Sequence, residues 1–216
     1  MKFNAVIFDL DGTLADTIDD LADSGNELLS RYNMAPHTVS EYKYFVGNGS
    51  RKLVERIMPD ASPEKVDEAL DEYKKIYDVH LLNKTKPYDG IIEMLFSLKK
   101  RKVKMAVCTN KHMSAASKMI EKLFPSGMFD AFVGDRAGYP RKPDPANALY
   151  VMERIGAVPE KVAYLGDTAV DMETATRAGF LPVGVLWGFR EKEELVKSGA
   201  RVLLSRPMEL LEKVEF

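Results

Sequence analysis

Two carboxylates, Asp9 and Asp11, follow directly on the apolar run Phe3-Asn4-Ala5-Val6-Ile7-Phe8, and Gly12-Thr13 come next. Acids this close repel one another unless a cation lies between them, and clusters of hard oxygen ligands suit magnesium. Gly12 lets the backbone turn sharply beside the pair. A turn or a helix cap is the other ordinary use of Asp at such a place. Three more polar groups stand at the ends of later apolar segments: Thr109-Asn110, Lys142 within Arg141-Lys142-Pro143, and Gly166-Asp167-Thr168 with Asp171 beyond. Asp167 and Asp171 are four apart, so a helix that begins between them lets both face one site, although Asp167 could equally cap that helix. Thr109 and Asn110 either cap a helix or offer a hydroxyl and backbone amides to phosphate oxygens, as helix starts do. Lys142 is either a solvated charge or the cation that four acids and an anionic ligand require.

Positioning these groups together is a task for a parallel sheet. Phe3 to Phe8 is nearly continuously apolar, the pattern of a strand buried on both faces. From Pro87-Tyr88-Asp89-Gly90 onward, short apolar runs (103–108, 131–133, 162–165, 183–187 and 202–204) alternate with helical patterns near 89–101, 112–123, 145–155, 170–178, 191–198 and 206–213. That alternation predicts an α/β doubly wound parallel sheet, whose ligand binds beyond the carboxyl ends of the strands. Residues 16–85 are helical only. Ile18, Leu21, Ala22, Leu28, Leu29 and Tyr32 fall at helical spacing, as do Val66, Ala69, Leu70, Tyr73, Ile76 and Tyr77, and Gly47-Asn48-Gly49-Ser50 breaks the pattern between them. The chain therefore divides into a core of residues 1–15 and 86–216 with a helical lobe, 16–85, inserted after the first strand.

Composition narrows the function. The 31 Lys and Arg residues against 33 acids give no basic excess for nucleic acid or a membrane surface, so any anion must be held by a local site. Cys108 is the single cysteine, which excludes an internal disulfide framework. The Met1 end carries no export-signal pattern and no stretch reaches the apolar length of a membrane span, so the expected location is cytoplasmic. His37, His80 and His112 lie outside the polar clusters. His80, at helical spacing with Tyr73 and Tyr77, reads as packing or surface, and Trp187 as lining the site's edge or packing the sheet.

Asp9-Leu10-Asp11-Gly12-Thr13, Thr109-Asn110, Arg141-Lys142-Pro143 and Gly166-Asp167-Thr168-Ala169-Val170-Asp171 resemble, in order and at ordinary spacing, the four motifs of the haloacid dehalogenase superfamily. The likeness spans essentially the whole chain, with the helical lobe in the place of the family's cap domain. Within the superfamily the chain looks most like the phosphoglycolate phosphatase group, on Val46-Gly47-Asn48-Gly49, Thr109-Asn110-Lys111 and Val185-Leu186-Trp187-Gly188-Phe189. The resemblance implies a Mg²⁺-dependent phosphatase of a small phosphorylated metabolite. Asp9 would be the nucleophile that forms an aspartyl-phosphate and Asp11 the acid and base. Mg²⁺ would be held by Asp9, the Asp11 carbonyl and Asp167, with Asp171 nearby, and the phosphoryl oxygens by Thr109, Asn110 and Lys142.

Asp11 also separates reaction types, since the relatives that cleave carbon–halogen bonds lack the second acid. Inorganic pyrophosphatase, nucleotidase, sugar-phosphate phosphatase and β-phosphoglucomutase activities share the same motifs, because the motifs handle only the phosphoryl group. A signalling receiver domain also has a doubly wound sheet with clustered acids, but it carries no large helical insertion. Specificity is expected from the cap break, where Gly49 and Arg51 could present backbone amides and a guanidinium to a small carboxylate.

Overall fold

The computed structural model describes residues 2–216. Along the chain run β1 (Ala5–Phe8), β2 (Ala15–Asp16), α1 (Ile18–Arg31), α2 (Val39–Phe45), α3 (Ser50–Ile57), α4 (Pro63–His80), β3 (Lys86–Pro87), α5 (Ile91–Lys100), β4 (Lys104–His112), α6 (Met113–Leu123), β5 (Ala131–Asp135), α7 (Ala146–Arg154), β6 (Val162–Gly166), α8 (Ala169–Ala178), β7 (Leu181–Val185), α9 (Lys192–Lys197), β8 (Val202–Leu204) and α10 (Leu210–Lys213). Six strands form one parallel sheet in the order β5-β4-β1-β6-β7-β8. The chain winds outward from β1 in both directions, so the strand order reverses there and a crevice opens beyond its carboxyl end.

The near-continuous apolar run of β1 resolves into two faces. Ala5 and Ile7 pack with Ala148 and Val151 of α7 and Ala175 of α8. Val6 and Phe8 face the opposite layer, with Met94, Leu95 and Leu98 of α5, Met119 of α6 and Leu210 of α10. Strand side chains alternate, so a strand covered on both sides must be apolar at every position.

Helices α1 to α4 stand between β2 and β3 in the chain and pack on one another as a helical lobe. Leu28, Leu29, Tyr42, Val54, Ile57, Ala69 and Tyr73 make its interior, continuous with the α5 side of the core. The two connections between lobe and core pair with each other as a short antiparallel ribbon, Ala15 opposite Pro87 and Asp16 opposite Lys86. Two residues per strand are too short for a period to show in the sequence. Asp20, fully buried on the first turn of α1, pins the junction: its carboxylate accepts hydrogen bonds from the Lys84 and Thr85 amides (3.0 and 2.9 Å) and from Thr85 Oγ1 (2.7 Å).

Three segments differ from expectation. β4 runs on through Thr109-Asn110-Lys111 to His112, with a register shift after Cys108; such irregularities re-aim side chains beside a site. β7 starts at Leu181 although Pro182 follows. Pro182 offers no donor, but its carbonyl accepts from the Arg201 amide, and an early strand position tolerates it. The final helix is a 3₁₀ turn (Pro207–Glu209) leading into α10.

Candidate active site

The loops beyond β1, β4 and β6 converge. Asp9 follows β1 directly, Thr109 to Lys111 lie on the shifted end of β4, and Asp167 follows β6. One oxygen each from Asp9, Asp167 and Asp171 lies within 4.8 Å of the others, and all three residues are buried. Lys142 Nζ sits 2.9 Å from Asp9 Oδ1 and 2.6 Å from Asp171 Oδ1, with 2% of its side chain exposed.

Each acid is held differently. Asp167 accepts from Thr13 Oγ1 at 3.0 Å and from the Phe189 amide at 2.9 Å. Backbone crowds it on two sides: a Cβ on Gly12 (φ +79°) would stand 2.2 Å from Asp167 Oδ2, and one on Gly188 would stand 2.3 Å from Asp167 Cβ. Only hydrogen fits at either place. Asp171 Oδ2 accepts from the amide (3.1 Å) and hydroxyl (2.7 Å) of Thr168, closing the start of α8, while Oδ1 faces Lys142. The helix-capping use weighed for Asp167 is thus filled by Asp171. Asp9 Oδ1, by contrast, is buried and receives no aligned hydrogen bond among the described residues.

Electrostatics set the site apart. Burial raises the Asp9 carboxyl to about 7, with Asp171 and Asp11 pushing the same way against Lys142. Asp167 lies well above the ordinary carboxylate range, through burial and then through Asp171 and Asp9. Burial alone would lower Lys142, but Asp171 and Asp9 outweigh it, and its ammonium is held well above the ordinary value. Three buried acids lie together with a single ammonium that contacts only Asp9 and Asp171, so negative charge in the cluster exceeds the cation present. A hard divalent cation fits this donor set.

Asn110 acts as a staple. Its Nδ2 donates to Gly47 O and Lys142 O, both at 3.1 Å, and its Oδ1 accepts from the Lys142 amide at 2.9 Å. Thr109 is buried beside it, its Oγ1 accepting from the Lys111 amide at 3.2 Å. The motif thereby fixes the Lys142 loop and the cap loop together.

Over the acids lies a cavity of about 250 Å³ between core and lobe, walled by Leu21, Val46, Leu53, Tyr73, Tyr77 and Ala115 and opened to Asp9, Asp11, Thr109 and Lys111. Gly47 and Gly49 line it. Arg51 does not: its guanidinium bonds Glu55, one turn further along α3, at 3.1 Å, and also Asp67 on α4. The expected carboxylate reader therefore faces its own lobe, because an i,i+4 partner of opposite charge is nearer than the cavity.

Sequence reading missed several residues. Lys111 Nζ donates to Asp11 Oδ1 and Oδ2 (2.8 and 3.1 Å) and to Tyr77 Oη of α4 (2.6 Å). Arg190, two residues past Gly188, bonds the carbonyls of Lys43 and Val46 at the end of α2, latching lobe to core. The adjacent Phe189 amide holds Asp167, and nothing in local spacing announces either contact. Trp187 packs its ring on the core and its Nε1 donates to Thr13 O at 3.0 Å. His80 pairs with Glu27 at 2.8 Å on the lobe surface, and His112 caps α6 at the cavity rim.

The profile of haloacid dehalogenase-like hydrolases matches residues 6–185. A phosphoglycolate phosphatase of Aquifex aeolicus is 32% identical over 217 residues, covering 97% of this chain and 96% of that protein. One of Agrobacterium fabrum is 33% identical over 193 residues, covering 86% and 81%. The crystal structure of a candidate phosphoglycolate phosphatase from Lactobacillus delbrueckii subsp. bulgaricus is 31% identical and superposes with a TM-score of 0.94 over 100% of this chain and 99% of that one.

Proposed function

The chain belongs to the haloacid dehalogenase-like hydrolase family, and on that premise we propose that it is a Mg²⁺-dependent phosphatase acting through an aspartyl-phosphate on a small phosphorylated metabolite, 2-phosphoglycolate first among them. The observation that carries the reading is the buried set of Asp9, Asp167 and Asp171, with Lys142 Nζ against Asp9 and Asp171 and with Asp9 lining the cavity.

Asp9 attacks phosphorus, forming a carboxylate O–P bond as the bond to the leaving oxygen breaks. Asp11 donates a proton to that oxygen and then takes one from the water that attacks the phosphorylated Asp9, releasing inorganic phosphate and restoring both carboxyls. Thr109, with backbone amides beside it, and Lys142 position the phosphoryl oxygens. Asp9, Asp167 and the Asp11 carbonyl would hold Mg²⁺, with Asp171 keeping Lys142 in place. When bound, Mg²⁺ supplies charge neutralisation for an anionic nucleophile meeting an anionic substrate. Closure of the lobe over a largely apolar cavity keeps stray water from the intermediate.

The relatives named as phosphoglycolate phosphatases support the substrate choice, as does a cavity suited to a small leaving group. A phosphate-release assay over a panel of phosphoesters, in Mg²⁺ and in excess chelator, tests it. The reading expects 2-phosphoglycolate to lead the panel in kcat/KM and chelator to abolish turnover. Leadership by a nucleotide, a hexose phosphate or pyrophosphate would replace the substrate, and full activity in chelator would remove the metal.

A further inference from the structure

With Arg51 turned away, the cavity still needs a group that distinguishes one leaving group from another. Its lining cations are few: Lys74 is paired with Asp71 at 3.1 Å on the exposed side of α4, and the His112 side chain caps α6. Lys142 is spent on Asp9 and Asp171. Lys111 remains. Its side chain is 5% exposed, and its ammonium lies between Asp11 and Tyr77 Oη, 4.6 Å from the Tyr77 ring centre.

We propose that Lys111 reads the negative charge of the leaving group. The inference rests on the phosphatase reading of the site. A leaving oxygen that takes a proton from Asp11 must come within hydrogen-bonding distance of that carboxyl, and Lys111 Nζ already touches both of its oxygens. A carboxylate or second phosphate on the leaving group then lies within reach of the same ammonium. The remaining walls are apolar (Leu21, Val46, Leu53), neutral polar (Ser50, Ser114) or acidic (Asp78), and Lys74 is engaged with Asp71, so an anion entering without Lys111 meets no free ammonium there and lies near like charge, which is unfavourable. Lys111 has three N–H donors, now shared by the two Asp11 oxygens and Tyr77. Moving one to a bound anion keeps the ammonium paired throughout. Because Tyr77 belongs to the lobe and Lys111 to β4, the charge reader is complete only when the lobe lies on the core.

Three substrates test this on the Mg²⁺-loaded enzyme: 2-phosphoglycolate and inorganic pyrophosphate with anionic leaving groups, and 2-hydroxyethyl phosphate with a neutral one. In Lys111→Met, kcat/KM should fall roughly 10- to 100-fold more for the anionic leaving groups than for the neutral one, the size of one charge-assisted hydrogen bond in a shielded site. KM should carry most of the difference. Lys111→Arg should restore part of the preference, and Tyr77→Phe should weaken it in the same direction. Equal losses on all three substrates, in a variant whose melting curve shows it folded, would reduce Lys111 to holding Asp11 and overturn the proposal. Loss of the preference in Arg51→Ala with Lys111→Met sparing it would overturn it too. If the wild-type enzyme favours pyrophosphate over 2-phosphoglycolate and Lys111→Met lowers both relative to 2-hydroxyethyl phosphate, Lys111 stands and the 2-phosphoglycolate assignment falls. If the wild type favours 2-phosphoglycolate and Lys111→Met keeps its full margin over 2-hydroxyethyl phosphate, the assignment stands and Lys111 falls.

Discussion

At the scale of single residues the account turns on which acid does what. Asp9→Asn keeps the shape and removes the nucleophile, so kcat should drop about a thousandfold or more with the melting temperature preserved. Asp11→Asn should cost about 10² to 10⁴ on alkyl phosphates and distinctly less on aryl phosphates, whose leaving oxygens need no proton; equal losses on both would take the acid role from Asp11. Lys142→Ala leaves Asp9 and Asp171 without their shared ammonium. Phosphate affinity and kcat should fall together, and Lys142→Arg should rescue poorly, because a planar fork does not replace a point charge in a cavity this tight. An acid at the end of a buried apolar run could also be a turn or a cap, and it is the ordered set of motifs that marks these residues as candidates; the structure brings Asp9, Asp167, Asp171 and Lys142 together. Lys111 and Tyr77 were not legible in the chain as site residues. Tyr77 obeys the helical period of a packing residue, and one that packs and also bonds across to the core gives the same period.

Among the elements, the strands and core helices could be read because their apolar periods are long and strong. The ribbon of β2 and β3, the shifted end of β4 and the Arg190 latch depend on partners tens to more than a hundred residues away and leave no periodic trace. The ribbon junction makes a separate prediction. Asp20→Ala strips an anionic acceptor from the part-buried Lys84 amide and from the buried amide and hydroxyl of Thr85, which should destabilise the protein by about 3 kcal/mol. For a chain of this size that corresponds to a melting temperature lower by roughly 5–10 °C. Calorimetry checks it, and an unchanged melting temperature would mean that the junction does not depend on Asp20. Arg190→Ala removes two bonds between lobe and core and should raise KM for the true substrate with little change in melting temperature, as expected of a closure contact.

Over the whole molecule, a centre of crowded acids makes stability depend on pH and on metal together. Asp9 is raised from an ordinary 3.8 to about 7, and Asp167 is raised well above its usual range. A carboxyl raised on folding is easily accommodated below its unfolded value and costs stability as pH climbs toward its folded value, so the cost appears between about pH 4 and pH 7. In chelator, the melting temperature should therefore fall from pH 5.5 to pH 7.5. Mg²⁺ at about 100 times its dissociation constant should raise it by roughly 5–10 °C at the upper pH, since a ligand of the folded state at that ratio contributes about 2.7 kcal/mol. A flat or rising profile in chelator would contradict the electrostatic account. The central claim, that phosphate passes through Asp9, has a more direct test in rapid acid quench of the enzyme turning over 2-phosphoglycolate, followed by peptide mass mapping. The account predicts one phosphoryl group on the peptide containing Asp9, present during turnover and absent from Asp9→Asn. Full turnover with that peptide unmodified at every quench time, or a phosphoryl group carried on another residue, would contradict it.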